Sequence, residues 1–142
     1  MNSIQAYLSF NGNCREAMTF YQKRLGGELN FQTVGESPMS DRMPARMKKC
    51  ILTATLQNHR LVLTGTDLIT EHGLIKGNNI ALLLQCKDLP EIKRLYKELS
   101  ARGMQIQPPQ KNFWGMFVGT LRDKFGVNWV LQMSETRQLS RL

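Results

Sequence analysis

Apolar and polar positions along the chain repeat one arrangement twice. Cys14, Ala17, Met18, Tyr21 and Leu25 recur at helical spacing, and the spacing predicts a helix that starts at Asn13 and stops at Gly26-Gly27. Asn13 is the expected cap of its first turn, with Glu16 three positions on as the partner of an N-x-x-E capping box. Leu89, Ile92, Leu95, Tyr96 and Leu99 predict a second helix from Asp88, with Glu91 three positions on and Gly103 as the stop. Asn13 and Asp88, Glu16 and Glu91, and Tyr21 and Tyr96 are each 75 positions apart. An apolar strand precedes each helix, at Ile4–Phe10 and Ile80–Cys86, and further strands follow. The pattern is an internal repeat.

The remaining segments alternate with period two. Glu28–Val34, 50–57 and 60–65 predict strands in the first half, the last two joined by a hairpin at Asn58-His59. Strands near 104–108, 114–121 and 127–133 complete the second half, with Asp123-Lys124-Phe125-Gly126 as the last turn and Gly126 at positive φ. Each half therefore reads βαβββ, over 4–66 and 79–133, within a single domain of residues 1–142. Residues 35–47 carry Pro38, Pro44 and three methionines and read as a loop, and the polar tail from Ser134 is expected to fray.

Composition narrows the class. At 142 residues with 42% apolar and 21% charged, the chain can bury a core, and its longest apolar stretch, Ile80–Leu84, is far short of a membrane span. No signal-like leader is visible, and three scattered cysteines (Cys14, Cys50, Cys86) fit reduced thiols, so a cytoplasmic protein is expected. The net charge of +8 favours anionic partners, but the basic residues are dispersed, 8 in residues 1–71 and 11 in 72–142. Their one local cluster, Arg42, Arg46, Lys48 and Lys49, has no interleaved aromatics. Neither nucleic acid nor membrane is an expected partner. P-loop and G-x-G-x-x-G fingerprints are absent. Cys14, at a helix N-terminus, is read as a small buried residue rather than a nucleophile.

Three motifs carry a resemblance. Tyr7-Leu8-Ser9-Phe10-Asn11-Gly12-Asn13-Cys14-Arg15-Glu16-Ala17 opens the first helix, and Phe20-Tyr21-Gln22-Lys23-Arg24-Leu25-Gly26-Gly27-Glu28 closes it. Phe113-Trp114-Gly115 with Asp123-Lys124-Phe125-Gly126-Val127-Asn128-Trp129 forms the third. Together with the doubled βαβββ order, over residues 4–133, these resemble the vicinal-oxygen-chelate superfamily of glyoxalases, bleomycin-resistance proteins and dioxygenases, in its PhnB-like branch. The resemblance implies an α+β fold of two curved mixed sheets around a cavity, with helices on the outer faces and a homodimeric assembly. Ile4, Ala6, Leu8 and Phe10 are then expected to face the first helix, as are Leu52, Ala54 and Leu56. Gln5, Tyr7, Thr53 and Thr55 are expected to line the cavity, together with Trp114 and Trp129. Met39, Arg42, Met43 and Arg46 are expected in a covering loop.

Metal-dependent members of that superfamily hold a divalent ion with His or Glu from several strands. Carried onto this chain, those positions fall at Gln5, Thr53, Leu63 or Thr64, Ala81, and Val130 or Gln132, none of them a carboxylate or imidazole. His59 and His72, the two histidines, fall in a turn and in the segment between the halves. No metal and no other cofactor is expected. The first reading is thus a metal-independent binder of a small neutral or anionic organic molecule, because a +8 chain repels a cationic one at long range. Arg42 and Arg46 are the cations placed to meet an anion. A metal-dependent lyase, isomerase or dioxygenase and a non-catalytic interaction protein are the alternatives.

Overall fold

The computed structural model describes residues 2–134, and they form two compact units divided between Ile75 and Lys76. In the first unit β1 (Ala6–Ser9) leads into α1 (Cys14–Leu25), and β2 (Glu28–Thr33), β3 (Ile51–Gln57) and β4 (Val62–Thr66) follow. The second unit repeats the order with β5 (Leu82–Gln85), α2 (Leu89–Ser100), β6 (Met104–Lys111), β7 (Met116–Arg122) and β8 (Asn128–Ser134). The strand orders are the same, β1-β4-β3-β2 and β5-β8-β7-β6, with the first pair parallel and the others antiparallel. Each sheet is open and mixed, so the α+β class holds. Both helices are 12 residues long and start 75 positions apart, as the repeat predicts.

One face of each sheet carries its helix. In the first unit Cys14, Ala17, Met18 and Tyr21 of α1 are fully buried, with Ala54 and Leu56 of β3 beneath them. Each such side chain removed from water stabilises the fold by about 1.5–3 kcal/mol for the larger residues. In the second, Ile92, Leu95, Tyr96 and Leu99 of α2 pack with Leu121, Trp129 and Leu131. A bulge lets Thr33 pair with Ile51 directly after Gln32 pairs with Thr53, so Ile51 is buried and Leu52 is only half-buried. Ile4 lies before β1 and is fully exposed, which overturns its expected place against α1.

The two helix starts differ where the repeat expects likeness. Asp88 has an extended backbone (φ −153°, ψ 174°) and its Oδ1 accepts the Glu91 amide at 2.9 Å. Asn13 sits at φ −116°, ψ 25° and its side chain makes no cap bond. The cap is Asp67 instead, 53 residues beyond Cys14. Its Oδ1 accepts the Cys14 amide and its Oδ2 the Ile51 amide, both at 2.9 Å, which ties the start of α1 to the start of β3. The Asp67 amide donates in turn to the Ile51 carbonyl at 2.8 Å. At the other end of α2, the left-handed residue is Arg102 (φ 60°) rather than Gly103. Gly103 is needed for a different reason, since a Cβ there would run into the Arg122 carbonyl.

Other boundaries shift by a few residues. Residues 34–47 are not a plain loop but carry three 3-10 turns, at Val34–Glu36, Ser40–Arg42 and Ala45–Met47. Thr33 and Glu36 form a capping box at the first of these, and the Thr33 hydroxyl and amide hold the Glu36 carboxyl below the ordinary carboxylate range. The Asn58-His59 hairpin is a wider turn, in which Asn58 Oδ1 accepts the Arg60 and Leu61 amides. The last turn forms as expected, with Gly126 at φ 87°. The fraying expected of the tail falls on residues 135–142, outside the described ones, and Ser134 itself closes β8.

Two predictions follow from these contacts. Asp67→Ala removes two charge-assisted bonds and should lower stability by about 2–3 kcal/mol, whereas Asn13→Ala should change it by less than about 0.5 kcal/mol. Denaturant unfolding of the two variants checks this, and a larger loss in Asn13→Ala would contradict the assigned cap. Burial pushes the Cys14 thiol up to about 12, with the nearby Asp67 carboxylate adding to it. Burial followed by Glu91 pushes Cys86 up to about 11. Both folded-state values lie above the ordinary thiol value of 9.0, so the folded chain keeps protons that the unfolded chain releases. This contribution to stability is complete below pH 9.0 and is lost as pH rises towards 11 and 12. A thiol reagent at pH 8 should leave Cys14 and Cys86 unmodified in the native protein and reach all three cysteines after denaturation.

Candidate functional site

Because α1 covers one face of the first sheet, strand alternation assigns the other. Tyr7 of β1 pairs with Thr64 of β4, Thr64 with Thr55 of β3, and Thr55 with Asn30 of β2. These four side chains form a polar row across all four strands on the face away from α1. Thr53 and Gln32 pair beside that row. Tyr7 is 65% exposed, while Thr53 and Thr55 are half-buried. The structure therefore brings three of the expected wall residues, Tyr7, Thr53 and Thr55, onto one face. Gln5 is exposed and precedes β1, without a ladder partner.

The two tryptophans diverge. Trp129 is 3% exposed, on the same face of β8 as the buried Leu131 and Met133, and its indole Nε1 donates to Asp123 Oδ2 at 2.9 Å. Its place is the core under α2, which corrects the expectation that it lines a wall. Asp123, itself buried, also accepts the Phe125 and Val127 amides on Oδ1, at 2.9 and 3.0 Å. Trp114 is 78% exposed at the tip between β6 and β7, where its ring meets that of Phe113 edge-on at 6.4 Å. Asn112 shapes that tip, its Oδ1 accepting the Trp114 and Met116 amides at 3.0 and 3.1 Å.

Beside the tip, the second unit holds an open groove of about 460 Å³ lined by Gln107, Gln110, Lys111, Asn112, Phe113 and Val118. Periodicity alone misses these residues. The available signal is Pro108-Pro109, since proline within a strand marks an edge or a bulge. β6 is an edge strand, and its register against β7 shifts between Gln105 and Gln107 and again between Gln107 and Gln110.

Residues 34–47 place Arg42 and Arg46 exposed, Met39 45% exposed and Met43 half-buried. Backbone bonds from Val34 to Cys50 and from Gly35 to Lys48, both 2.9 Å, close the base of this segment. The positions that hold metal in metal-dependent relatives do not fit a divalent ion. Leu63 is buried in the helix-side layer, Thr64 lies in the polar row, Ala81 precedes β5, and Gln132 Nε2 donates to Gln85 Oε1 at 2.9 Å. Among the described residues, no three His, Cys, Asp or Glu side chains come together. His59 accepts from Arg60 Nε at 3.2 Å in the β3–β4 turn, and His72 lies 3.7 Å from the Glu71 carboxylate, exposed.

The family model described as Glyoxalase/Bleomycin resistance protein/Dioxygenase superfamily matches residues 3–131. Protein YjdN of Escherichia coli (strain K12) is 31% identical over 140 residues, covering 92% of this chain and 94% of that protein. The crystal structure of protein PA1353 from Pseudomonas aeruginosa has a TM-score of 0.83 at 31% identity, covering 94% and 98% of the two chains. A PhnB protein from Bacillus cereus shares the fold with a TM-score of 0.74 at 21% identity, over 94% and 100% of the chains. With its doubled βαβββ order and a family match over nearly all of the described residues, the chain belongs to the glyoxalase/bleomycin-resistance/dioxygenase superfamily.

Proposed function

We propose that the protein is a metal-independent binder of a small neutral or anionic organic molecule. The groove of the second unit carries this reading: three carboxamides, one lysine, one aromatic and one aliphatic side chain line it, and no carboxylate does. Apolar walls with a few polar groups suit the burial of a small organic molecule, and the absence of an acidic wall disfavours a cation. The net charge of +8 acts in the same direction at long range. The polar row of Tyr7, Thr64, Thr55 and Asn30 is the corresponding surface of the first unit, with Gln5 and Thr53 proposed beside it, and Trp114 is proposed as a wall of the second unit's groove. Met39, Arg42, Met43 and Arg46 are proposed as the cover of the first unit's surface. Homodimeric assembly is part of the proposal.

The positions discussed above offer amide and hydroxyl oxygens or no donor at all, which supports metal independence. A fragment library titrated into the labelled protein in the presence of a chelator tests it. Amide shifts are expected at Gln107, Gln110, Asn112 and Phe113 for fragments in the second unit's groove, and hydrogen-exchange protection is expected to rise in residues 35–47 for fragments held by the first unit's polar row. Fragment binding that requires added Ni²⁺, Zn²⁺ or Mn²⁺, or a bound ion held tighter than about micromolar, would overturn the reading. Unchanged exchange in 35–47 with fragment bound would remove the cover. Light scattering at a mass near 16.3 kDa would remove the dimer.

A further inference from the structure

The two prolines of β6 decide which side chains the groove receives. In an unbroken strand, Gln107 and Gln110, three residues apart, face opposite sides of the sheet. Here Gln107 pairs with Thr120 and Gln110 with Val118, so β6 spends one residue more than β7 between them. Thr120 and Val118 lie on the face of β7 away from α2, because the intervening Gly119 pairs with the buried Leu131. The extra residue, in Pro108-Pro109, brings both glutamines onto that face. Gly119 makes room for the bulge: a Cβ there would stand 2.9 Å from Pro109 Cγ and 3.0 Å from its nitrogen. Lys111 goes the other way. It pairs with Phe117, whose partner on β8 is the buried Met133, so its side chain leaves β6 on the α2 side.

The wall on the face away from α2 is therefore polar and uncharged. Neither Gln107 nor Gln110 has a side-chain hydrogen-bond partner among the described residues, so each offers an acceptor oxygen and a donor nitrogen side by side. Asn112 differs, because its Oδ1 already accepts the Trp114 and Met116 amides and only its Nδ2 hydrogens are left to give. Val118 and the fully exposed ring of Phe113 supply the apolar part of the groove.

A carboxamide makes two bonds at once only with a partner that presents the reverse order, an N–H beside a C=O on one edge. A carboxylate offers acceptors alone, so one of its oxygens would face the carboxamide oxygen; an ammonium offers donors alone and would face the carboxamide nitrogen. An open-chain secondary amide is trans and holds its N–H and C=O on opposite sides. Closing the amide in a ring makes it cis and puts both groups on one edge of a planar body.

We infer that this bulge-built groove recognises a neutral lactam or imide ring, with its N–H and C=O on the carboxamides of Gln107 and Gln110 and its plane against Phe113 and Val118. This rests on the proposed small-molecule function and narrows it to the neutral side of that class.

Isoindolin-1-one and N-methylisoindolin-1-one, titrated separately and followed by NMR, test the inference. They share the ring and the carbonyl, and only the first keeps the N–H. Isoindolin-1-one should shift the side-chain NH₂ signals of Gln107 and Gln110 and bind at least about fivefold tighter than its methylated form. The double variant Gln107→Leu/Gln110→Leu should weaken isoindolin-1-one at least about fivefold and bring the two probes within about twofold of each other. Both positions are exposed, so loss of folding does not confound the result. Equal binding of the two probes, or a preference that survives in the double variant, overturns the edge assignment while leaving the small-molecule function standing. Silence of both probes at the groove also overturns it, and the fragment library then decides the broader function separately.

Discussion

A four-stranded sheet has two faces, and among the described residues each unit supplies one α-helix of 12 residues to cover them. Every other feature depends on that shortage. The face under the helix takes the apolar half of each alternating strand, and burial of Met18, Tyr21, Ile92 and Leu99 follows. The opposite face is left to side chains that a helix does not demand be apolar. In the first unit it is a row of tyrosine, two threonines and asparagine; in the second the equivalent row is Leu83, Val130, Thr120 and Gln107. The repeat thus duplicates the architecture, and the faces away from the helices are where the two copies diverge in chemistry.

In each unit a single carboxylate also satisfies two or more backbone or indole donors at once. Asp67 joins α1 to β3, and Asp123 holds the β7–β8 turn and the Trp129 ring. Both lie just past the C-terminal end of a strand, where amides emerge without ladder partners and a two-oxygen acceptor can serve several of them. Asp67 and Asp123 are therefore structural. The face away from α1 and the groove beside β6 are instead lined by amide, hydroxyl, lysine and aromatic side chains.

Much of the fold was legible because it is local. Cap, stop and 3.6-residue spacing predict both helices within a residue or two, and period-two alternation predicts the strands, since both depend on neighbours a few positions away. Asn13 shows where locality fails: its residue type suits a cap, but its backbone is not extended and a carboxylate 53 positions beyond Cys14 takes the role. Trp129 shows the same for the site. Its alternation with Val127 and Leu131 fits a covered face, and the buried Asp123 beneath it makes that assignment definite.

By itself, the sequence determined the doubled βαβββ order, the helix faces and the resemblance to the superfamily, because each is written in residue type at short, regular spacing. Tertiary structure alone decided which carboxylate caps α1, which tryptophan is core, and that Gln107 and Gln110 share a face. The physical reason is that a single extra residue in β6 inverts the parity of every side chain beyond it, and parity is set by pairing with β7 rather than by the strand's own sequence.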